Sequence, residues 1–417
     1  MNEPSLNSSR ATNPPIIMDI LADIIKTRSG DVDDWFKGIS KQTPPFFYNS
    51  VDLRHSGFKL APVDTNLFPA GFNNLNALER QNATNAVKDF FTIYYKNIHN
   101  VLIISEDHTR NKFYLDNLAS LIEIISKADK NVVLTNLSVT ESGEELTLES
   151  NSGALLTFKP IICENQIIKT IDGYTPEFIL VNNDLTEGAP KLLKNVKQHV
   201  NPAIGFGWYK RRKTSHFDTY NNMARDFCNK FEIDPWLIST YFQRCGIVNF
   251  KEQTGIECVA LKVDQTIDKI RKKYEEYNIK EKPYVFIKSD RGTYGMGIMT
   301  AYSGDEVFAM SKKIRNKMNT IKGGIKNTEV IIQEGIPTID LINNHPAEPM
   351  IYMISGEPVG FIYRLNSQKD AYGNLNAKGM NFANKTDDIL LCSAHRVISK
   401  IASHAAAWEC YEQSYAI

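Results

Sequence analysis

The chain lacks most of the features that announce a function outright. None of its six cysteines (Cys163, Cys228, Cys245, Cys258, Cys392 and Cys410) falls in a Cys-x-x-Cys pair. Scattered over 417 residues, they do not make a disulfide framework and read as reduced thiols of a cytoplasmic protein. Excess charge is absent too: Lys+Arg and Asp+Glu both number 48, so nothing in bulk attracts nucleic acid or an anionic membrane. No apolar run approaches the ~20 residues of a membrane span. Residues 1–15, MNEPSLNSSRATNPP, lack the apolar heart of a signal peptide and read as a disordered tail. The P-loop pattern Gly-x-x-x-x-Gly-Lys-[Ser/Thr] does not occur, nor do Gly-x-Ser-x-Gly or His-Glu-x-x-His.

What is there is an ordinary globular composition, 42% hydrophobic and 23% charged, long enough for two or three domains. Apolar spacing predicts helices over Ile16–Lys26, Leu75–Asn97, Asn111–Lys127, Tyr220–Phe231, Asp264–Tyr277, Asp305–Met318 and Ile389–Tyr415. Of these, Asp264–Tyr277 is highly charged and expected to be exposed. Short apolar strands at 101–104 and 132–134, with a helix between them, predict a parallel α/β unit. Glu144–Phe158 reads as a hairpin, 178–181 as a strand, and Met350–Leu365 as a hairpin turning at Ser355-Gly356-Glu357. The fold class is therefore mixed α/β (α+β).

Chemistry gathers in a few places. In PYVFIKSDRGTYGMGIMTA, Pro283–Ala301, a β-rich run ends at Lys288 and leads into Gly292, Gly295 and Gly297. Glycines let backbone N–H groups approach phosphate oxygens, and a lysine at the strand end adds a point charge. The same stretch also reads as a tight hairpin. Phe46–Asn74 reads as strand, turn and strand, and is dense in Asp52, Arg54, His55, Asp64 and Asn66. Asp64-x-Asn66 before Pro69 is also what an Asx turn looks like. Lys210–Lys213 is four cations in a row, a solvated face or a local anion patch rather than a nucleic-acid surface.

These pieces, in order, resemble a known family. The Lys-ended strand, glycine loop, strand ending Gln333-Glu334-Gly335-Ile336, hairpin ISGEPVGFIYRLN and loop GNLNAKG (Gly373–Gly379) are similar to the ATP-grasp ligases. Within these the bacterial glutathione synthetases are most similar. The resemblance departs at one point. The acidic residue and Glu-x-Asn pair expected after Gly379 are not there, where the chain offers only Asp387, Asp388 and a helix. The pattern occurs instead near the start, as Asp52 followed by Asp64-x-Asn66, which implies a circularly permuted ATP-grasp fold. The segment VDLRHSGFKLAPVDTNLFPAGFNNL carries a closer likeness, to the ATP-grasp-type bacterial glutamate–cysteine ligases.

The resemblance implies ATP, two Mg²⁺ ions and a carboxylate–amine ligase acting on glutamate and cysteine, the first step of glutathione synthesis. It assigns ATP phosphate to Lys288, the closing lid to Gly292, Gly295 and Gly297, the adenine hinge to Gln333, Glu334 and Ile336, and the metals to Asp52, Asp64 and Asn66. Arg364 would touch the phosphates near the substrate, and Lys213 is a second ATP lysine or a solvated cation. By their chemistry, Arg54 suits a substrate carboxylate, Asn374 and Asn376 substrate or phosphate, and Asp340 the ribose. His55 reads as structural. The implied organisation is a permuted metal- and substrate-binding part at 16–97, a Rossmann-like domain at 98–200 and a nucleotide-binding part at 201–417. No nucleic-acid or membrane partner is expected, and a homo-oligomer stays open. Another ATP-grasp ligase, or a nucleotide-binding protein without catalysis, are the alternatives.

Overall fold

The computed structural model describes residues 16–108, 110–292, 297–319, 326–383 and 392–415. In chain order, α1 (Ile17–Thr27) and α2 (Ser29–Gln42) precede the antiparallel pair β1 (Tyr48–His55) and β2 (Leu60–Asn66), then α3 (Ala77–Tyr94). An α/β region follows: β3 (Asn100–Ser105), α4 (Lys112–Ser126), β4 (Asn131–Asn136), α5 (Leu137–Ser142) and the hairpins β5 (Leu146–Glu149)–β6 (Leu155–Phe158) and β7 (Ile161–Glu164)–β8 (Ile167–Thr170). It ends with β9 (Phe178–Asn182) and β10 (His199–Asn201). Next come α6 (Lys213–Phe231), β11 (Phe242–Gly246), α7 (Ile256–Glu276), β12 (Val285–Ser289), β13 (Met299–Ala301), α8 (Asp305–Phe308), α9 (Lys312–Met318) and β14 (Glu329–Glu334). The last elements are β15 (Leu341–Ile342), β16 (His345–Ile354), β17 (Glu357–Asn366), β18 (Met380–Ala383) and α10 (Ser393–Tyr415).

Three larger sheets organise these elements. The first has the order β18-β17-β16-β1-β2, so a hairpin from the start of the chain extends one from its end. The seam is an antiparallel pairing in which Val51 faces Ile351 and Asp52 faces Met350. Successive residues of a strand point to opposite faces. Here Val51, Leu53, Ile351 and Met353 enter a core shared with α1, α6 and α10. Tyr48, Met350, Tyr352 and Ile354 enter a second core under α3. Both faces are covered, which explains the near-continuous apolar runs of β16 and β17. The second sheet, β10-β9-β3-β4-β6-β5, is parallel except at β5, as the strand–helix–strand pattern predicted. The third, β11-β14-β12-β13, is antiparallel and carries Lys288 at the end of β12.

Several expectations need correction. Helix α2 was not anticipated; its glycines and acids mask the buried Val32, Trp35 and Phe36. Helix α7 starts at Ile256 and is not an exposed helix. It buries Ile256, Val259, Val263, Ile267, Ile270 and Tyr274 at three- and four-residue spacing, and its charges occupy only the outer face. Asp305–Met318 is two short helices, because Ser311 caps a new start by accepting from Ile314 N. Helix α6 begins at Lys213 rather than Tyr220. Its first turn is capped from the glycine loop: Asp290 Oδ1 accepts from Thr214 N at 2.8 Å, and Asp290 O from Lys213 N at 2.8 Å. Not all cysteines are reduced: Cys245 on β11 and Cys258 on α7 form a disulfide, with Cα atoms 6.6 Å apart. The helix packs back across the strand and brings the two together. The expected tail at 1–15, with Gly295, Asp387 and Asp388, lies outside the described residues. No helix among them is long and apolar enough to cross a membrane.

The first and third sheets are tied together by one buried ion pair. Lys59, in the turn between β1 and β2, donates to Glu334 Oε1 at 2.8 Å, and both side chains are 1% exposed. The same carboxylate accepts from Trp236 Nε1 and Tyr241 N, each at 2.9 Å, and the ammonium lies 4.1 Å above the Trp236 ring. Breaking a buried pair from one side strands the other charge. Lys59→Met is therefore expected to lower unfolding stability by about 3–5 kcal/mol. Lys59→Met/Glu334→Gln should recover part of that loss in denaturant titration; a Lys59→Met protein as stable as the parent would show that the pair ties nothing.

Candidate active site

The hairpin β1–β2 sets two acids side by side. Asp52 and Asp64 are direct cross-strand partners, so their carboxylates share a face of the sheet. Like charges placed so repel, and each is answered by a cation from elsewhere. Arg364 Nη1 donates to Asp52 Oδ2 at 2.6 Å. Lys213 Nζ donates to both Asp64 oxygens, at 2.8 and 2.9 Å. The Asp64 side chain keeps 34% exposure and opens to a cavity between the first and third sheets. Burial alone would raise its carboxyl, but Lys213 and Lys288 hold it at about 2. Burial pushes Asp52 upward, against the pull of Arg364.

Lys288 enters the same cavity from the third sheet. Its ammonium donates to Gln333 Oε1 at 2.8 Å and to Val63 O at 3.1 Å, which leaves one of three N–H groups free to turn to a ligand. Burial lowers its pKa to about 8. The sequence reasoning missed Glu348, which is 3% exposed and lies opposite Arg364 on the neighbouring strand. Its Oε1 accepts from Arg364 Nη1 at 2.8 Å and its Oε2 from Arg54 Nε at 2.8 Å. Burial would raise this carboxyl, yet Arg54 and Arg364 keep it low. A lone acid inside the apolar strand 345–354 was the available signal.

Nine residues singled out in the sequence line this cavity: Asp52, Arg54, Asp64, Lys213, Lys288, Gly292, Arg364, Asn374 and Asn376. Others are placed elsewhere. The Asn66 side chain closes an Asx turn, accepting from Phe68 N at 3.0 Å. Gln333 stands behind Lys288, and Glu334 is held by Lys59. The Ile336 carbonyl accepts from Arg54 Nη1 at 3.1 Å. With Gly373 O, 2.6 Å from its Nη2, this commits the Arg54 guanidinium to the cavity wall. Gly297, at φ 61°, does not line the cavity. Asp340 lies beside His55, Oδ1 to Nδ1 3.8 Å, and His55 packs edge-on against His395. Of the basic run, only Lys210 is exposed; Arg211 and Lys213 are buried. Arg291, also unanticipated, joins the lining. The cavity thus gathers Arg54, Lys213, Lys288, Arg291 and Arg364 against three carboxylates, an excess of positive charge suited to a polyanion.

A solved structure from Methylobacillus flagellatus KT, provisionally named a gamma-glutamylcysteine synthetase, is 35% identical over 99% of this chain and 100% of its own, with a TM-score of 0.85. A D-alanyl-alanine synthetase A from Vibrio cholerae is 10% identical over 61% of this chain and 67% of its own, at a TM-score of 0.27. A glutathione synthetase-like effector from Globodera pallida is 10% identical over 88% and 80%, at 0.37. These two distant likenesses carry no argument. No curated protein matches. The family model GshA, glutamate-cysteine ligase, matches residues 22–411, and the chain belongs to that family.

Proposed function

We propose that the protein uses ATP to join the γ-carboxyl of glutamate to the amine of cysteine through an acyl phosphate, on a circularly permuted ATP-grasp fold. The observation that carries this reading is the convergence of Asp52, Asp64, Lys213, Lys288 and Arg364 on one cavity from distant parts of the chain. The permutation is supported by the seam between β1 and β16. The proposed units are 16–97 with the metal strands, 98–200 as a Rossmann-like substrate part, and 201–417 for the nucleotide.

Ligation of this kind asks little covalent work of the protein. It must place two anions together and neutralise them. Lys213, Lys288 and Arg364 supply the cations, with Gln333 aiming Lys288. Gly292, Gly295 and Gly297 would supply the lid that keeps water from the acyl phosphate, and residues 293–296 lie outside the described residues. Asp52 and Asp64 would hold Mg²⁺, taken as two ions. The donor set fits: hard carboxylate oxygens on adjacent strands, with phosphate oxygens to complete the shell. Among the described residues no three His, Cys, Asp or Glu side chains form a metal site by themselves, so the nucleotide must contribute. Bound there, the ion would neutralise charge on the transferring phosphoryl group. The cations for phosphate are those that pair the carboxylates for metal, so ion and nucleotide suit the site best together. Of the two asparagines that line the cavity, Asn374 closes its own loop, its Nδ2 donating to Asn376 O at 3.1 Å and its Oδ1 accepting from Asn376 N at 3.2 Å, which leaves the Asn376 amide to meet the amino-acid substrates.

Phosphate release is expected only when ATP, Mg²⁺, glutamate and cysteine are all present. Release with another acid–amine pair instead would replace the substrates, and none at all from folded protein would refute the ligase reading. Lys288→Ala should weaken ATP binding about 10-fold or more, the worth of a charged hydrogen bond. Because the protonated amine holds phosphate, affinity should fall as pH rises through about 8. Lys288→Arg should move that fall upward, and a pH-independent affinity would remove Lys288 from the site. Asp64→Asn should abolish turnover yet bind ATP in EDTA as tightly as the parent or tighter, since Lys213 is then released.

A further inference from the structure

The C-terminal helix reaches this site without touching the cavity. Glu409, near the end of α10, is fully buried, its side chain 1% exposed. Its Oε2 accepts from Arg211 Nε at 3.2 Å and Nη2 at 3.1 Å, and Arg211 is equally buried. The remaining terminal nitrogen of that guanidinium, Nη1, donates to Thr65 O at 2.6 Å. Thr65 is the residue between Asp64 and Asn66. Trp208 packs beneath the arrangement, with the Arg211 guanidinium 5.3 Å and the Lys213 ammonium 4.3 Å from its ring. Two residues beyond Arg211, Lys213 grips the Asp64 carboxylate.

The pair is more than a fastening for the helix. A buried ion pair is expensive to assemble, and a well-packed apolar pair would fasten α10 at least as well. What the charges add is direction. Glu409 Oε1 has no hydrogen-bond partner, and the neighbouring His216 lies beside the other oxygen, its Nδ1 3.6 Å from Oε2. Burial keeps that imidazole neutral. Arg211 is thus the full charge that answers Glu409, and Glu409 takes two of its three nitrogens, so it directs how the planar fork lies between the Trp208 ring and Thr65 O. The fork then holds the β2 carbonyl next to Asp64.

We propose that Glu409 is a positioning residue for metal binding: through Arg211 it sets the backbone of β2, and so the aim of the Asp64 carboxylate. This rests on the reading of Asp64 as a metal ligand. Supporting residues of metal sites change metal affinity about 10–100-fold when removed.

The test is the affinity for Mg²⁺, measured by calorimetry on the full chain with a non-hydrolysable ATP analogue bound. Glu409→Gln should weaken Mg²⁺ about 10-fold. Binding of the analogue in EDTA should stay within about two-fold, because the phosphate cations remain. Glu409→Asp, which restores the charge, should recover part of the metal affinity. A Glu409→Gln protein with a lower melting temperature but parental Mg²⁺ affinity would reduce the pair to a structural fastening and overturn the proposal. Should that variant not fold, Arg211→Lys, which keeps the charge but loses the fork, is judged by the same criterion. Asp64→Ala is measured alongside. Parental Mg²⁺ affinity there would refute the metal site itself; lost affinity in Asp64→Ala with parental affinity in Glu409→Gln would refute only the role of Glu409.

Discussion

Two carboxylates face each other across adjacent strands, and the site is built around holding them there. Asp52 and Asp64 are cross-strand neighbours on a partly buried face, an arrangement that repels unless cations are brought to it. The hairpin has none to spare: Arg54 is committed to Glu348, Ile336 and Gly373, and Lys59 to Glu334. The cations come from Arg364 on β17 and Lys213 at the start of α6. The electrostatics of a short hairpin therefore require three distant stretches to converge.

That requirement explains how the sheets are joined. Edge-to-edge pairing of β1 with β16 puts Asp52 within reach of Arg364. Asp290, in the glycine loop, caps α6 and so sets Lys213 relative to Lys288. Arg54 links the segment after β14 to the loop at Gly373, and Lys59 with Glu334 links the hairpin turn to the end of β14. Each link is a charged side chain buried with its partner, which water competes for poorly. The charged groups that line the cavity also join the sheets, so the region proposed to bind the nucleotide is also where the sheets meet.

Much of this was legible in the chain. Strong periodicity located α1, α3, α4 and most strands, because their faces are buried by simple alternation or a 3.6-residue stripe. Lys288, Arg364, Asp52 and Asp64 stood out because phosphate and metal chemistry would ask for such side chains at strand ends and turns, and the structure brings all four to one cavity. What escaped had distant causes. The start of α6 depends on a cap 76 residues away. The burial of α7 depends on the elements packed against it. Glu348 gains its meaning only from Arg364 opposite and Arg54 beside it. Asn66 was legible in both its guises, and its side chain adopts the local one, the Asx turn.

The sequence by itself determined the mixed α/β class, the strand ending in Lys288 before its glycines, the acidic hairpin and the family, since these depend on residue type and short spacing. Tertiary structure decided which charges meet. It paired Asp52 with Arg364 across 312 residues and Asp64 with Lys213 across 149. It buried Arg211 of a seemingly solvated basic run against Glu409 of the last helix, and it turned Glu334 from the hinge toward Lys59. Local pattern carries no information on such pairs, because a buried charge is stable only beside its partner, and the partner's place is set by the packing of whole sheets.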